Sequence, residues 1–202
     1  MKCEYIHLRG GVIMKYSKFL FFLLLIFALA SGSSAQFKNW SQQYSFNGGY
    51  AILVGESTGN SLDGYAFDFT YEQVNMDGDL SGGVLIQYLA GHDDDAANNR
   101  RINYQSIPIM LQGKYLFGSN MVKGYLQGGI GVQFSRIEFS GANLLLQDGD
   151  SGFTFGIGLG GYFYTDEKIF INAAYNFNYL GNSFYRDGIV HLFKIGIGFQ
   201  SI

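Results

Sequence analysis

The chain has 202 residues, of which 48% are hydrophobic, 17% aromatic and only 14% charged, with a formal net charge of -3. Ordinary soluble domains carry roughly 25% charged residues, and so small a net charge leaves no electrostatic footprint for a nucleic-acid partner. The length leaves room for one domain of ordinary size after any leader, and its 29 glycines and single proline fit poorly with a soluble all-β surface.

Lys15 and Lys18 precede the apolar run 19–30, and Ser31, Gly32, Ser33, Ser34 and Ala35 follow it. A basic start, a short apolar middle and a small-residue end predict a secretory signal peptide cleaved after Ala35. The rival, a membrane-anchoring helix, needs about 20 apolar residues, and this run has roughly a dozen. Residues 1–13 fit neither part, so Met14 is the expected natural start. The expected organisation is a leader and signal peptide over 1–35 and a barrel domain over 36–202. Cys3, the only cysteine, falls in the leader. The mature chain is therefore expected to lack disulfides, thiol chemistry and a lipoprotein anchor.

From there the chain reads as strands, because apolar and polar residues alternate with the period of two that points successive side chains to opposite faces. After a polar lead-in containing Trp40, the first strand is expected over 44–54, with Tyr44, Phe46, Tyr50, Ile52 and Val54 on one face. Residues 55–63 (GESTGNSLD) read as a loop. In the second strand Tyr65, Phe67, Phe69 and Tyr71 alternate with Ala66, Asp68, Thr70 and Glu72, and Asp77-Gly78 then signals a turn. A weaker, Gly-rich third strand is expected over 80–90, followed by a polar loop over 91–101 (GHDDDAANNRR). The fourth, over 102–117, sets Ile107, Ile109, Leu111, Tyr115 and Phe117 opposite Ser106, Met110, Gln112 and Lys114.

Gly118-Ser119-Asn120 reads as a tight turn into the clearest strand, 121–139 (MVKGYLQGGIGVQFSRIEF). There Val122, Leu126, Ile130, Val132 and Phe134 oppose Lys123, Tyr125, Gln127, Gln133 and Ser135. A long loop is expected over 140–152. Strand six alternates Phe153, Phe155, Ile157, Leu159 and Phe163 with Thr154, Gly156, Gly158, Gly160 and Tyr162. A turn at Asp166-Glu167 leads to strand seven, with Ile169, Ile171, Ala173, Tyr175, Phe177 and Tyr179 against Asn172, Ala174, Asn176 and Asn178. A loop over 181–188 precedes strand eight, which opposes Phe193, Ile195, Ile197 and Phe199 to Lys194, Gly196, Gly198 and Gln200.

That makes about eight strands, each near the ~9–11 residues that cross a bilayer when tilted. The connections after odd-numbered strands are long and polar and those after even-numbered strands are short, the asymmetry of a transmembrane barrel with long extracellular loops and short periplasmic turns. Two barrels compete. In a soluble, lipocalin-like barrel the glycine-rich, charge-poor face would have to meet water, which it suits badly. In a membrane barrel that face fills a narrow interior, while the apolar face, with aromatics near strand ends, meets lipid and its interfaces. No sheet edge survives in hydrocarbon, so the sheet must close. The expected fold is all-β: a closed antiparallel up-and-down transmembrane β-barrel.

The segment 104–117, YQSIPIMLQGKYLF, sets Ile-Pro before alternating apolar residues and ends on Lys-Tyr. Here the chain resembles the small, eight-stranded, porin-like outer-membrane β-barrel family of Gram-negative bacteria, over most of 36–202. The resemblance implies residence in the outer membrane, outer-membrane lipid and the barrel assembly machinery as partners, and an extracellular ligand for the loops. Two features depart from the pattern. Pro108 lies inside a strand of a closed sheet, where its missing N–H predicts a bulge or a break in the ladder. The chain ends on Ile202, with Phe199 three places earlier, where the family ends on an aromatic residue.

The residues offering chemistry are few. Asp68, Glu72, Lys114, Lys123 and Lys194 have inward parity and are expected to form a lumenal network of ion pairs and hydrogen bonds, because buried charges need partners. The plain reading is structural; the alternative is an ion path, which eight strands barely have room for. His7 falls in the leader, His92 in a loop and His191 at the start of strand eight with outward parity. A lipid-modifying enzyme would use such a histidine, but no nucleophile stands at a fixed spacing from either. The stretch His92-Asp93-Asp94-Asp95 and the pair Asp148, Asp150 could hold a divalent cation, yet neither matches a calcium-loop spacing, and acidic loop residues are more often solvated. The run 156–161 (GIGLGG) is superficially like a phosphate-binding glycine motif but no helix is expected after it. No cofactor, metal or catalytic residue is expected. The leading reading is a structural or surface-interaction protein acting through its extracellular loops, with a narrow channel for ions or small amphiphiles as the alternative.

Overall fold

The computed structural model describes residues 40–54, 61–75, 79–95, 100–119, 121–141, 144–181 and 188–201. The signal-peptide, Met14, Cys3, His7 and Ile202 readings lie outside them.

Eight antiparallel strands, β1 (Trp40–Val54), β2 (Ser61–Asn75), β3 (Leu80–Asp95), β4 (Arg100–Gly118), β5 (Val122–Gly141), β6 (Leu144–Tyr164), β7 (Ile169–Leu180) and β8 (Gly188–Ser201), join in sequence order into a closed barrel. The seam pairs β1 with β8 from Gln42↔Ser201 to Val54↔Ile189, so neither terminal strand leaves an edge. Strands in a barrel are staggered as well as tilted. The row of partners through Phe46 reaches β6 at Phe153 by way of β2 to β5. By way of β8 and β7 it reaches β6 at Phe163, ten residues further along the strand.

The alternation resolves into two surfaces. Ile130, Ile157 and Ile195 are 58%, 62% and 65% exposed, so the apolar face points outward all round the wall. Asn47, Asp68, Glu72, Gln112, Lys114, Asn172, Asn176 and Lys194 are buried inside. Only a hydrocarbon solvent makes this pattern favourable, since each large apolar side chain moved from water to lipid gains about 1.5–3 kcal/mol.

The strands run further than the alternation of apolar residues suggests. Residues 91–95 continue β3, Arg100 already belongs to β4, and β5 and β6 extend through 141 and from 144, where loops over 91–101 and 140–152 are expected. Next to these extensions, the polar residues Asn103, Gln105, Arg136 and Glu138 occupy outward strand positions above the apolar band. The inward face changes sense at the same end. Ala51, Leu53, Leu62, Ala66, Leu89, Tyr104, Ile137, Leu180, Val190 and Leu192 form a buried apolar cluster inside the barrel. Beyond the membrane the wall is thus polar outside and apolar inside, as in a soluble protein. The opposite end, where β1 begins and β8 ends, is closed by Val74, Leu116, Tyr125, Tyr162 and Phe170. The interior is layered, not uniformly polar.

At Pro108 the ladder breaks and no bulge forms. The β3–β4 register runs to Ile86↔Ile109 and resumes at Leu89↔Ser106 without slipping, while Pro108 pairs with Gln133 of β5. Leu116 N–H donates to Asp79 O, so even-numbered amides of β4 face β3 and the missing donor of Pro108 falls on that side. The β4–β5 turn needs Gly118, whose φ of 121° would strain any residue with a side chain.

Candidate functional site

Between the two apolar layers lies a connected polar network. Lys194 of β8 pairs with Asp68 of β2 at 2.7 Å. The other carboxylate oxygen of Asp68 accepts from Asn47 Nδ2 of β1 at 2.6 Å. Asn47 Oδ1 accepts from Asn172 of β7 at 2.8 Å, and Asn172 Oδ1 accepts from the Tyr125 hydroxyl of β5 at 2.8 Å. Lys114 of β4 sits over the Tyr125 ring, 4.7 Å from its centroid, and pairs with Glu72 of β2 at 2.7 Å. Glu72 also accepts from Gln112 at 2.7 Å and from the Tyr162 hydroxyl of β6 at 2.9 Å, and Lys114 donates to that same hydroxyl.

Every strand except β3 contributes to this chain of contacts. Both ion pairs are nearly completely buried, with side-chain exposures of 3% and 3% for Lys114 and Glu72 and 4% and 0% for Lys194 and Asp68. Each carboxylate has further donors, the condition under which a buried pair offsets its desolvation. Such a network can hold strands in register and neutralise its own charge. Ion passage would require breaking it.

The aromatic rings that close the inner end are seated by glycine. Phe170 pairs with Gly198 and Tyr125 with Gly160 across neighbouring strands, and a Cβ on either glycine would fall on the facing ring. A cavity of about 10 Å³ lies between Leu85, Met110, Gln112, Gln127, Gly129, Gly156, Asn176 and Asn178, room for at most about one water molecule.

Of the five charged residues expected inside, the structure joins Asp68 with Lys194 and Glu72 with Lys114. Lys123 stands on the same face at a half-buried position opposite Tyr162 in the β5–β6 register, near the inner end. Asn47, Gln112, Tyr125, Tyr162 and Asn172 belong to the network too. Their inward parity was the available signal, but neutral amides and hydroxyls do not demand a partner in a sequence as charges do.

The histidines are far apart in the wall. His92 is exposed on β3 opposite Asp63 and Asn103. His191 lies on the outward face of β8, where its Nδ1 and the Tyr175 hydroxyl are 2.7 Å apart. Of the acidic loop candidates, Asp148 and Asp150 accept backbone N–H groups from Gly149 at 2.8 Å and Ser151 at 2.7 Å, and the side chains of Asp93, Asp94 and Asp95 lie outside the described positions. Among the described residues no group of three metal-ligating side chains comes together.

A closed eight-stranded wall with an apolar outside agrees with the sequence comparison. The family described as outer membrane protein beta-barrel domain matches residues 21–200. The chain belongs to that outer-membrane β-barrel family. No curated protein sequence matches it. Among solved outer-membrane barrels, Neisserial surface protein A (NspA) is similar with a TM-score of 0.62 at 14% identity, over 78% of this chain and 96% of its own. A major outer membrane protein of Thermus thermophilus gives a TM-score of 0.59 at 9% identity, over 79% of this chain and 99% of its own. Ail, the attachment invasion locus protein of Yersinia pestis, gives 0.53 at 15% identity, over 80% of this chain and 98% of its own. At these identities the likeness is one of fold.

Proposed function

We propose that this barrel is a non-conducting structural and surface-interaction protein of a Gram-negative outer membrane, exported by a cleaved signal peptide and inserted by the barrel assembly machinery. The observation that carries this reading is the layered interior. An apolar cluster built on Leu53, Leu62, Leu89, Tyr104 and Ile137 fills the outer end, two buried ion pairs occupy the middle, and Tyr125, Tyr162 and Phe170 close the inner end. A hydrated solute would have to displace all three layers. Work done by the molecule therefore falls to its outer end, where β3 to β6 extend above the apolar band and present polar side chains, and where an extracellular ligand would dock. His191 bonds to Tyr175 on the outer wall, and we propose no catalytic role for it or for His92.

Conductance of the purified protein in planar bilayers tests this against the channel reading. The expectation is a current no different from protein-free lipid. A steady open level that recurs with each insertion would establish the narrow channel instead.

A further inference from the structure

The outward face of β7 and β8 is apolar at almost every described position, and His191 is its one nitrogen-bearing side chain. Its ring is held firmly. Nδ1 lies 2.7 Å from the Tyr175 hydroxyl, the two rings stack at 6.1 Å between centroids, and Phe177 meets the imidazole edge-on at 5.5 Å. Phe193 packs against Tyr175 at 4.9 Å between centroids.

Depth follows from register. Phe193, Ile195, Ile197 and Phe199 are outward residues of β8 on the inner side of His191, with Ile189 beyond it. Its partners across the ladders are Ile52 of β1 and Phe177 of β7, both apolar, and the row turns polar one strand further on, at Asp63 of β2. His191 thus sits inside the hydrocarbon band, just beneath its outer boundary.

In such surroundings each polar hydrogen needs an acceptor. With the Tyr175 hydroxyl donating to Nδ1, one of the two directions this contact allows, the imidazole proton is on Nε2. The pair then presents lipid with a single N–H donor, for which no described side chain supplies an acceptor. Phosphate oxygens lie further out, in the headgroup region beyond the hydrocarbon. At the top of the hydrocarbon the acceptors a lipid offers are the carbonyl oxygens of its acyl linkages.

We propose that Tyr175 and His191 form a lipid-anchoring site in which His191 Nε2–H donates to an acyl carbonyl of an outer-leaflet lipid, with Phe177 and Phe193 packed along the first carbons of that chain. Tyr175 acts as the positioning residue, since it fixes the tautomer. The site is independent of whether the lumen conducts, so a failure of either statement leaves the other standing.

The test places the intact barrel in nanodiscs of ester-linked and of ether-linked phosphatidylcholine with the same chains, and reads the His191 imidazole by 15N–1H NMR. The expected result is a hydrogen-bonded Nε2–H signal in ester lipid that moves upfield in ether lipid, which has no acyl carbonyl. Tyr175→Phe should lose the single-tautomer signal in ester lipid while its barrel still migrates as folded on an unboiled gel. An Nε2–H signal that is hydrogen-bonded and identical in the two lipids would overturn the proposal and assign the donor to the headgroup phosphate that both carry, and a signal with no hydrogen bond in either lipid would overturn it as well.

Discussion

Lys194 Nζ lies 2.7 Å from Asp68 Oδ2, although the two residues are 126 positions apart in the chain and β1 runs between their strands. The contact exists only because the barrel closes, since β8 reaches β2 across β1 at the seam. It therefore reports on closure from inside the barrel, beside the β1–β8 ladder that makes the seam.

Breaking that pair leaves a buried charge without its counter-charge, a loss of about 3–5 kcal/mol. Asp68→Asn and Lys194→Met should each lower the urea midpoint of the barrel refolded in liposomes by a corresponding amount. Asp68→Asn combined with Lys194→Met should recover much of the loss, because a neutral pair carries no uncompensated charge. Single variants with unchanged midpoints would show that the pair contributes nothing to the folded state.

Charge placed on the outer wall should be penalised according to depth. Lysine at the centre of the band costs a transmembrane barrel about 2–4 kcal/mol and near the boundary about 0–1. Ile195→Lys should fall in the first class and Ser151→Lys, beyond Phe153 on β6, in the second. Equal costs measured in the same liposomes would contradict the position assigned to the band.

The inner closure depends on glycine. Gly198→Ala puts a methyl group onto the Phe170 ring, an overpacking cost of about 1–3 kcal/mol. Phe170→Leu should tolerate that methyl better than the native ring does, so the two substitutions together should cost less than their sum. Strict additivity in a double-mutant cycle would separate the two positions.

At the outer end, residues 144–152 of β6 run past the last β6–β7 contact among the described residues, in which Gly181 N–H donates to Phe153 O. Odd-numbered amides of β6 face that edge, and two of them, Gly149 and Ser151, donate to Asp148 and Asp150. An edge whose amides are satisfied by its own carboxylates is a poor template for another strand. Asp148→Ala with Asp150→Ala should speed hydrogen exchange at both amides about 2–10-fold, the equivalent of one modest hydrogen bond each, and should promote oligomers on native gels. Unchanged exchange would mean that the carboxylates do not shield the edge.

Which features can be read from the sequence depends on how strongly each residue's surroundings constrain it. Ile195 and Ile157 stand at outward positions among small or polar neighbours, so their face is plain. Asp68 and Lys194 have to be inside by parity, but their pairing depends on stagger and closure, which no local pattern records. The outer ends of β3 to β6 read as loop because a polar run such as residues 91–101 looks like one when a strand is expected to be apolar outside. Above the membrane that rule inverts: Tyr104 and Ile137 face inward there and the polar residues face water. Pro108 announces a break, and which neighbour loses the bond follows only from which amides of β4 face β3.

The central claim is the direction of the two faces, and spin-label accessibility along β5 tests it most directly. Labels placed one at a time through substituted cysteines from 122 to 138, in a Cys3→Ser background, should show high oxygen collision rates at 126, 130 and 134, low access to both oxygen and a water-soluble nickel reagent at 125, 127 and 133, and high nickel access at 136 and 138. Oxygen access at the odd positions together with nickel access at 126, 130 and 134 would turn the barrel inside out and contradict the account.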